Sequence, residues 1–203
     1  MNRNLIQLLS NERVYPIIRE SNPQRAKEIA NALIDGGIKI LEINVENSQI
    51  YDVISEVSKN AVVCAGSIIT TWQANAAFSA GAKMFSSPIF QFNMVKISKN
   101  IGVPFIAGAT TASEAYNAWK ARIPLIKIFP TTAMGGVQYI EDILRQMPFL
   151  HIMPMGNIKC SEAVDYLKAG ASVVGIGRDL CGKSDMDEIS ATAKLLIESV
   201  KKI

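Results

Sequence analysis

The sequence predicts an α/β fold, a (β/α)8 TIM barrel formed by a single domain over residues 1–203, with a short helix at its N-terminus. Eight short apolar runs recur along the chain, and segments with helical periodicity separate them. Alternating strands and helices favour a parallel sheet, and eight such units leave almost no spare residues in a chain of 203. An open, doubly wound sheet is the alternative, because alternation alone does not prove that the sheet closes.

The eight apolar runs are the predicted strands. Each is short and bounded by glycine, proline or polar residues, as buried parallel strands are. The runs cover residues 14–19, 38–45, 62–69, 84–89, 104–110, 125–131, 151–158 and 172–180.

The segments between these runs carry helix signals. The pair Asn22-Pro23 is typical of an N-cap and a first helical residue, and Gly36-Gly37 is typical of a helix end. We expect Ser161 to cap a later helix and the last helix to begin at about Ser184. A helix over residues 5–11 is expected to cover the bottom of the barrel.

Composition argues against several classes of function. The net charge is only +3 and the basic residues are dispersed, so nucleic acid is not an expected partner. No apolar stretch is long enough to cross a membrane and no secretory signal is apparent, so we expect a cytoplasmic protein. A single histidine, His151, and three cysteines without a CxxC pair provide no zinc motif. The sequence therefore implies neither a metal nor another cofactor.

Lys127 is the most informative residue, because it interrupts the apolar run Leu125–Pro130. Lysine is rarely buried without a partner or a chemical purpose. Burial disfavours the charged ammonium, and a neutral amine can form a Schiff base with a carbonyl substrate. The alternative is a lysine that extends to the end of its strand or pairs with a carboxylate.

Glu42 is a second charged residue within an apolar run. It belongs to the second predicted strand and Lys127 to the sixth, and side chains of even-numbered strands share a layer inside a (β/α)8 barrel. We therefore expect Glu42 and Lys127 to converge at the C-terminal mouth of the barrel, where active sites of this fold lie. The alternative is a buried ion pair that only neutralises two inward charges.

Several short motifs occur in a recognisable order along nearly the whole chain. They are Leu41-Glu42-Ile43, Ala65-Gly66-Ser67, Ser87-Pro88, Lys127-Ile128-Phe129-Pro130, Gly135-Gly136-Val137 and Pro154-Met155-Gly156. This order resembles the bacterial 2-keto-3-deoxy-6-phosphogluconate/4-hydroxy-2-oxoglutarate aldolases. The resemblance implies a homotrimeric (β/α)8 class I aldolase that needs no metal and cleaves a 2-keto-4-hydroxy acid to pyruvate and an aldehyde. It makes Lys127 the Schiff-base lysine and Glu42 the general acid and base.

Four further residues at strand ends are candidate contacts to the keto acid. Arg19 is suited to hold the pyruvyl carboxylate in a bidentate contact, and Ser67 replaces the threonine usual in the family. Pro88 is expected in the wall of the site. Phe129 is expected to pack on the Schiff base, although a core role is equally compatible with the sequence.

The predicted anion-binding residues depart from the family pattern. Glu46 stands where many members have arginine, Met155-Gly156-Asn157 replaces Thr-Gly-Gly, and Ile176-Gly177-Arg178 replaces Gly-Gly-Ser. Backbone N–H groups at Gly156 and Gly177 remain available, Asn157 adds an amide, and Arg178 is either a phosphate ligand or a surface charge. The departures leave open whether the substrate is phosphorylated.

Two other functions fit part of the sequence. A family relative that keeps the pocket but has lost turnover would be a small-acid-binding barrel. A different phosphate-binding barrel enzyme, such as an isomerase, would have similar glycines but no need for a lysine in the sixth strand.

Overall fold

A computed structural model describes residues 3–201, with side chains from residue 6 onward, and it contains eight parallel strands that alternate with helices. The strands are β1 (Val14–Ile18), β2 (Ile40–Asn44), β3 (Val62–Gly66), β4 (Met84–Ser86), β5 (Phe105–Ala109), β6 (Ile126–Ile128), β7 (Ile152–Pro154) and β8 (Val174–Ile176). Each falls within one of the eight predicted runs, so the predicted (β/α)8 barrel is confirmed.

The strands encircle a common centre. In the sheet each strand from β1 to β6 pairs with the next in the sequence, and β1 also pairs with β8 through Val14↔Val174 and Tyr15↔Gly175. At the remaining seam the Ser172 N–H donates to the Ile152 carbonyl at 2.9 Å. The alternative of an open, doubly wound sheet is therefore wrong.

Ten helices accompany the strands in the described part of the chain. They are α1 (Arg3–Glu12), α2 (Pro23–Asp35), α3 (Ile50–Val57), α4 (Thr71–Ser79), α5 (Phe92–Ile101), α6 (Ala112–Lys120), α7 (Gly136–Gln146), α8 (Ala163–Lys168), α9 (Arg178–Cys181) and α10 (Met186–Val200). The predicted cap of α2 is confirmed, because the Asn22 side chain accepts a hydrogen bond from the Arg25 N–H at 3.1 Å. None of the helices over residues 3–201 combines the length and apolar character that a membrane crossing requires.

Some predicted element ends were wrong. The cap at Ser161 lies inside a short 3-10 turn, Cys160–Glu162, where the Glu162 carboxylate instead accepts from the Lys159 N–H at 2.8 Å. The last helix begins at Met186 with Asp185 as its cap, because the Asp185 carboxylate accepts from the Asp187 N–H. The predicted strands were too long, since several of the predicted runs continue past the strand into loops over the barrel mouth.

The interior of the barrel divides into an apolar lower part and a polar upper part. Leu9 of α1 packs against inward-facing residues that include Tyr15, Cys64, Ile106 and Met153. Above this cluster the inward-facing, buried residues are Glu42, Ser86 and Lys127. A second and larger apolar layer fills the space between the strands and the surrounding helices. Polar side chains are therefore concentrated at the C-terminal mouth.

Candidate active site

Lys127 is at the centre of this polar layer. Its Nζ donates a hydrogen bond to Ser86 Oγ at 2.8 Å and lies 3.4 Å from Glu42 Oε1. The lysine side chain is only 5% exposed and that of Glu42 only 1%. The three residues come from β6, β4 and β2, as expected for one layer of even-numbered strands. The predicted convergence of Glu42 and Lys127 is confirmed, whereas their chemical roles stay predictions.

Gly66 at the end of β3 makes room for the carboxylate. A Cβ atom at this position would lie 2.4 Å from Glu42 Oε1 and 2.0 Å from Asn44 Oδ1. Strand β3 pairs with β2 so that Glu42 is opposite Cys64 and Asn44 is opposite Gly66. A residue without a side chain is required where these two polar groups lean across the neighbouring strand.

Below the carboxylate, the barrel contains polar groups without partners. Within the described chain, neither Glu42 Oε2 nor the Tyr15 hydroxyl has a hydrogen-bond partner, although both are buried. Burial raises the pKa of Tyr15 well above its usual range, and the nearby Cys64 and Glu42 raise it further. The pKa of Cys64 is also raised, mainly by burial and to a lesser extent by the charge of Glu42. Both groups are therefore neutral at physiological pH, and one oxygen of Glu42 is free to accept a proton.

A cavity of about 330 Å³ opens above Lys127. This is within the size range of pockets for small molecules. Every residue that the sequence predicted for the site, except Glu42, lines this cavity; Glu42 is buried behind Lys127. The predicted residues that line it are Arg19, Ser67, Pro88, Lys127, Phe129, Gly156, Asn157, Gly177 and Arg178.

The charges around the cavity favour an anion. Arg19, Lys127 and Arg178 line it, with Glu20 as the one carboxylate among its described lining residues. Arg19 Nε donates to Glu46 Oε1 at 3.0 Å, and the arginine side chain is 70% exposed. An ion pair in contact with water stabilises a protein little and is easily exchanged. Arg19 is thus at the rim, held by Glu46.

The loop after β7 packs over Phe129. A Cβ atom on Gly156 would lie 3.0 Å from the Phe129 ring, and Gly156 and Asn157 both have positive φ, at 109° and 56°. The Thr132 hydroxyl donates to the Gly156 carbonyl at 2.7 Å and fixes this turn. Glycine is required at position 156 both for its backbone conformation and for this close approach.

Sequence reasoning missed one residue and left a second without a role. Ser86 was not predicted, and Asn44, which also lines the cavity, was given no role. The two-residue alternation of a strand contained the signal, because Asn44 is two residues after Glu42 and Ser86 two residues after the inward Met84. Adjacent serines at 86 and 87 obscured which of them faces inward.

The arrangement suits covalent chemistry on a carbonyl compound. A primary amine at the base of the cavity can attack such a carbon, and a carboxylate next to it can carry a proton. Among the residues that the structure describes, no three histidine, cysteine, aspartate or glutamate side chains are grouped as a metal site would need.

The fold and the site define a class, the (β/α)8 barrels with a buried lysine at the mouth, and solved structures share the architecture. The 2-keto-3-deoxy-6-phosphogluconate aldolase of Zymomonas mobilis ZM4, solved with 3-phosphoglycerate, superimposes with a TM-score of 0.86 at 24% identity, covering 97% of this chain and 96% of that one. The KDPG aldolase of Legionella pneumophila, with pyruvate captured as a covalent carbinolamine, gives 0.81 at 22% identity over 93% of this chain and 96% of that one.

The family follows from the sequence comparison. The family model of the KDPG and KHG aldolases matches residues 5–194, and the chain belongs to this family. The KHG/KDPG aldolase of Escherichia coli strain K12 is 29% identical over 203 residues, which cover 96% of this chain and 95% of that protein.

Proposed function

We propose that the protein is a Schiff-base aldolase that cleaves a 2-keto-4-hydroxy acid, such as 2-keto-3-deoxy-6-phosphogluconate or 4-hydroxy-2-oxoglutarate, to pyruvate and an aldehyde. The observation that carries this proposal is the buried amine of Lys127 beside the Glu42 carboxylate, at the base of a cavity of about 330 Å³. Membership of the KDPG and KHG aldolase family supports the same reaction.

The reaction begins at the keto group of the substrate. The ammonium of Lys127 first gives up a proton, and the neutral amine attacks C2. The resulting carbinolamine takes up a proton and loses water, which leaves an iminium ion. Removal of the proton from the C4 hydroxyl then breaks the C3–C4 bond, and the bonding electrons move into the iminium to form an enamine. The aldehyde departs, C3 of the enamine takes up a proton, and water releases pyruvate from Lys127. The lysine therefore provides the electron sink for the carbon–carbon cleavage.

Glu42 is proposed to carry the protons of this sequence. Its Oε2 atom has no hydrogen-bond partner within the described chain, so it can accept the C4 proton, directly or through a water, and return a proton to C3. Because Glu42 is buried behind Lys127, the substrate has to approach from the cavity side of the lysine.

The cavity walls are proposed to hold the two ends of the substrate. Arg19 and Ser67 would bind the pyruvyl carboxylate, with Phe129 and Pro88 against the carbon chain. At the other end, Gly156, Asn157, Gly177 and Arg178 would bind a distal anion. For Arg19 this requires that the carboxylate of the substrate replaces Glu46, its present partner.

We also propose that residues 1–203 act as one barrel domain and that the protein is a homotrimer, as family resemblance implies. Size-exclusion chromatography with light scattering should give a mass about three times the 22.1 kDa of the chain. A monomeric mass would contradict the trimer without affecting the aldolase proposal. The cytoplasmic location stays a prediction from sequence.

The function is tested by a retro-aldol screen coupled to lactate dehydrogenase, which reports released pyruvate. The panel should contain phosphorylated and unphosphorylated 2-keto-3-deoxy acids together with 4-hydroxy-2-oxoglutarate. We expect pyruvate from at least one member, and loss of that activity in Lys127→Ala. Absence of pyruvate with every member would favour a small-acid-binding barrel instead.

A further inference from the structure

Resting on the proposed function, we propose that Ser86 is a catalytic residue: its hydroxyl accepts the one N–H of the iminium at Lys127 and thereby releases Glu42 for proton transfer to the substrate. The motivating contact is the 2.8 Å hydrogen bond from Lys127 Nζ to Ser86 Oγ.

The position of Ser86 is unusual for a hydroxyl group. The residue is completely buried, and within residues 3–201 the hydrogen bond from Lys127 is the only one that its side chain makes. Met84, two residues earlier on the same inward face, is packed in the apolar part of the barrel. Burying a hydroxyl costs free energy unless it is hydrogen-bonded, so Ser86 is explained by what it does for Lys127.

Ser86 is also held firmly. Its carbonyl accepts the Ile68 N–H at 3.0 Å on one side, and the following Ser87 N–H donates to the Ile106 carbonyl at 3.0 Å on the other. The strand is therefore bonded to both neighbouring segments of the barrel. A hydroxyl on such a rigid strand keeps its position while the lysine changes its bonding.

Counting donors distinguishes Ser86 from Glu42 as the partner of the intermediate. A lysine ammonium has three N–H donors, so it can bond Ser86, Glu42 and a group in the cavity together. An iminium nitrogen, bonded to Cε and to the substrate carbon, keeps a single N–H. Only one of the two acceptors can then be retained.

The distances favour Ser86 as that acceptor. The contact to Ser86 Oγ, at 2.8 Å, is near the optimum for a charge-assisted hydrogen bond, whereas the 3.4 Å contact to Glu42 Oε1 is at the outer limit. If the N–H turns to Ser86, both oxygens of Glu42 are available to the substrate. The serine would thus stabilise the charged intermediate and free the base in the same step.

The test is the pyruvate concentration at which half of the protein is trapped by borohydride, measured for the wild type, Ser86→Ala and Ser86→Cys. The cysteine variant keeps the shape of the side chain but offers only a weak acceptor. In both variants the iminium loses its well-placed acceptor and keeps only the 3.4 Å contact to Glu42, which the substrate also needs, so the half-saturating concentration should rise about tenfold or more. Ser98→Ala, the same change at another buried serine, should leave it unchanged.

The possible outcomes separate the two proposals. If Ser86 only satisfied the resting ammonium, its removal would weaken the resting state alone, and the half-saturating concentration would stay constant or fall; either result overturns the role of Ser86. If the alanine variant is unfolded by circular dichroism, the cysteine variant decides. Failure of the wild type to trap pyruvate at all would instead refute the proposed aldolase function, and the role of Ser86 with it.

Discussion

At the scale of single residues, the site depends on two charges that are almost entirely removed from water. Glu42 and Lys127 are 3.4 Å apart. Removing one partner of such a pair leaves an unpaired buried charge, which is usually strongly destabilising. Variants that keep the shape of the side chain are therefore more informative than alanine at Glu42.

Glu42→Gln should retain imine formation but lose turnover. The amide keeps the size of the side chain and can still contact Lys127, but it cannot accept the C4 proton. We expect the rate of pyruvate release to fall about 100-fold or more. The coupled assay measures the rate, and borohydride trapping with pyruvate checks that Lys127 still reacts. Turnover at the rate of the wild type would eliminate Glu42 as the base.

Tyr15→Phe should not lower the free energy of unfolding. The Tyr15 hydroxyl is buried without a hydrogen-bond partner in the described chain, so its removal deletes an unsatisfied polar group. Tyr139→Phe is the matched control, because its hydroxyl donates to the Thr110 carbonyl at 2.6 Å and its loss should cost about 1 kcal/mol. Urea unfolding of both variants provides the comparison. If Tyr15→Phe lowers the free energy of unfolding as much as Tyr139→Phe does, the Tyr15 hydroxyl makes a hydrogen bond after all, for example to Glu42.

At the scale of strands and loops, the site is assembled by close packing between neighbouring strands. Gly66 in β3 makes room for polar side chains of β2, and Gly156 after β7 lies against the ring of Phe129. The catalytic geometry therefore depends on residues that perform no chemistry.

Gly66→Ala should displace the Glu42 carboxylate and reduce activity. The added methyl group would overlap Glu42 Oε1 and Asn44 Oδ1 at distances that van der Waals contacts do not allow. Gly102→Ala is a control, since a Cβ there meets nothing within 4 Å and only the left-handed backbone, with φ of 83°, opposes it. Pyruvate release should fall far more in Gly66→Ala. Equal activity in the two variants would mean that strand β2 moves to accommodate the added methyl group without displacing Glu42 from its working position.

The sequence predicted the order of these elements better than their ends. All eight strands fall inside apolar runs, because a strand buried on both faces leaves a continuous apolar signal. Strand ends were missed because residues of the mouth, such as Phe129, are also apolar but belong to loops. Likewise, Glu42 and Lys127 stand out in apolar runs, whereas Ser86 is a small residue whose role depends on a contact with a distant strand.

At the scale of the whole molecule, the distribution of charge decides what reaches the cavity. Arg19, Lys127 and Arg178 line the cavity, but Arg19 at the rim donates a hydrogen bond to Glu46. A carboxylate at the mouth repels an anionic substrate, and such interactions between exposed charges weaken as salt increases.

Glu46→Gln should lower the KM for anionic substrates severalfold at low ionic strength, with little change in kcat. The variant removes a negative charge and leaves Arg19 free to bind the substrate. Glu56→Gln, which removes a carboxylate paired with Lys27 at another place on the surface, should have no effect. The decrease in KM caused by Glu46→Gln should become smaller as salt is added. A KM that is unchanged by Glu46→Gln would exclude Arg19 from substrate binding.

The most direct test of the proposed chemistry is reductive trapping. The protein is incubated with pyruvate and borohydride, digested, and examined by peptide mass spectrometry, with Lys127→Ala treated in parallel. We expect one irreversible pyruvyl adduct, on the peptide that contains Lys127, and no specific adduct in the variant. Two results would contradict a Schiff base at Lys127. The first is a wild-type protein that stays unmodified. The second is a wild-type protein that carries adducts only at surface lysines, to the same extent as Lys127→Ala.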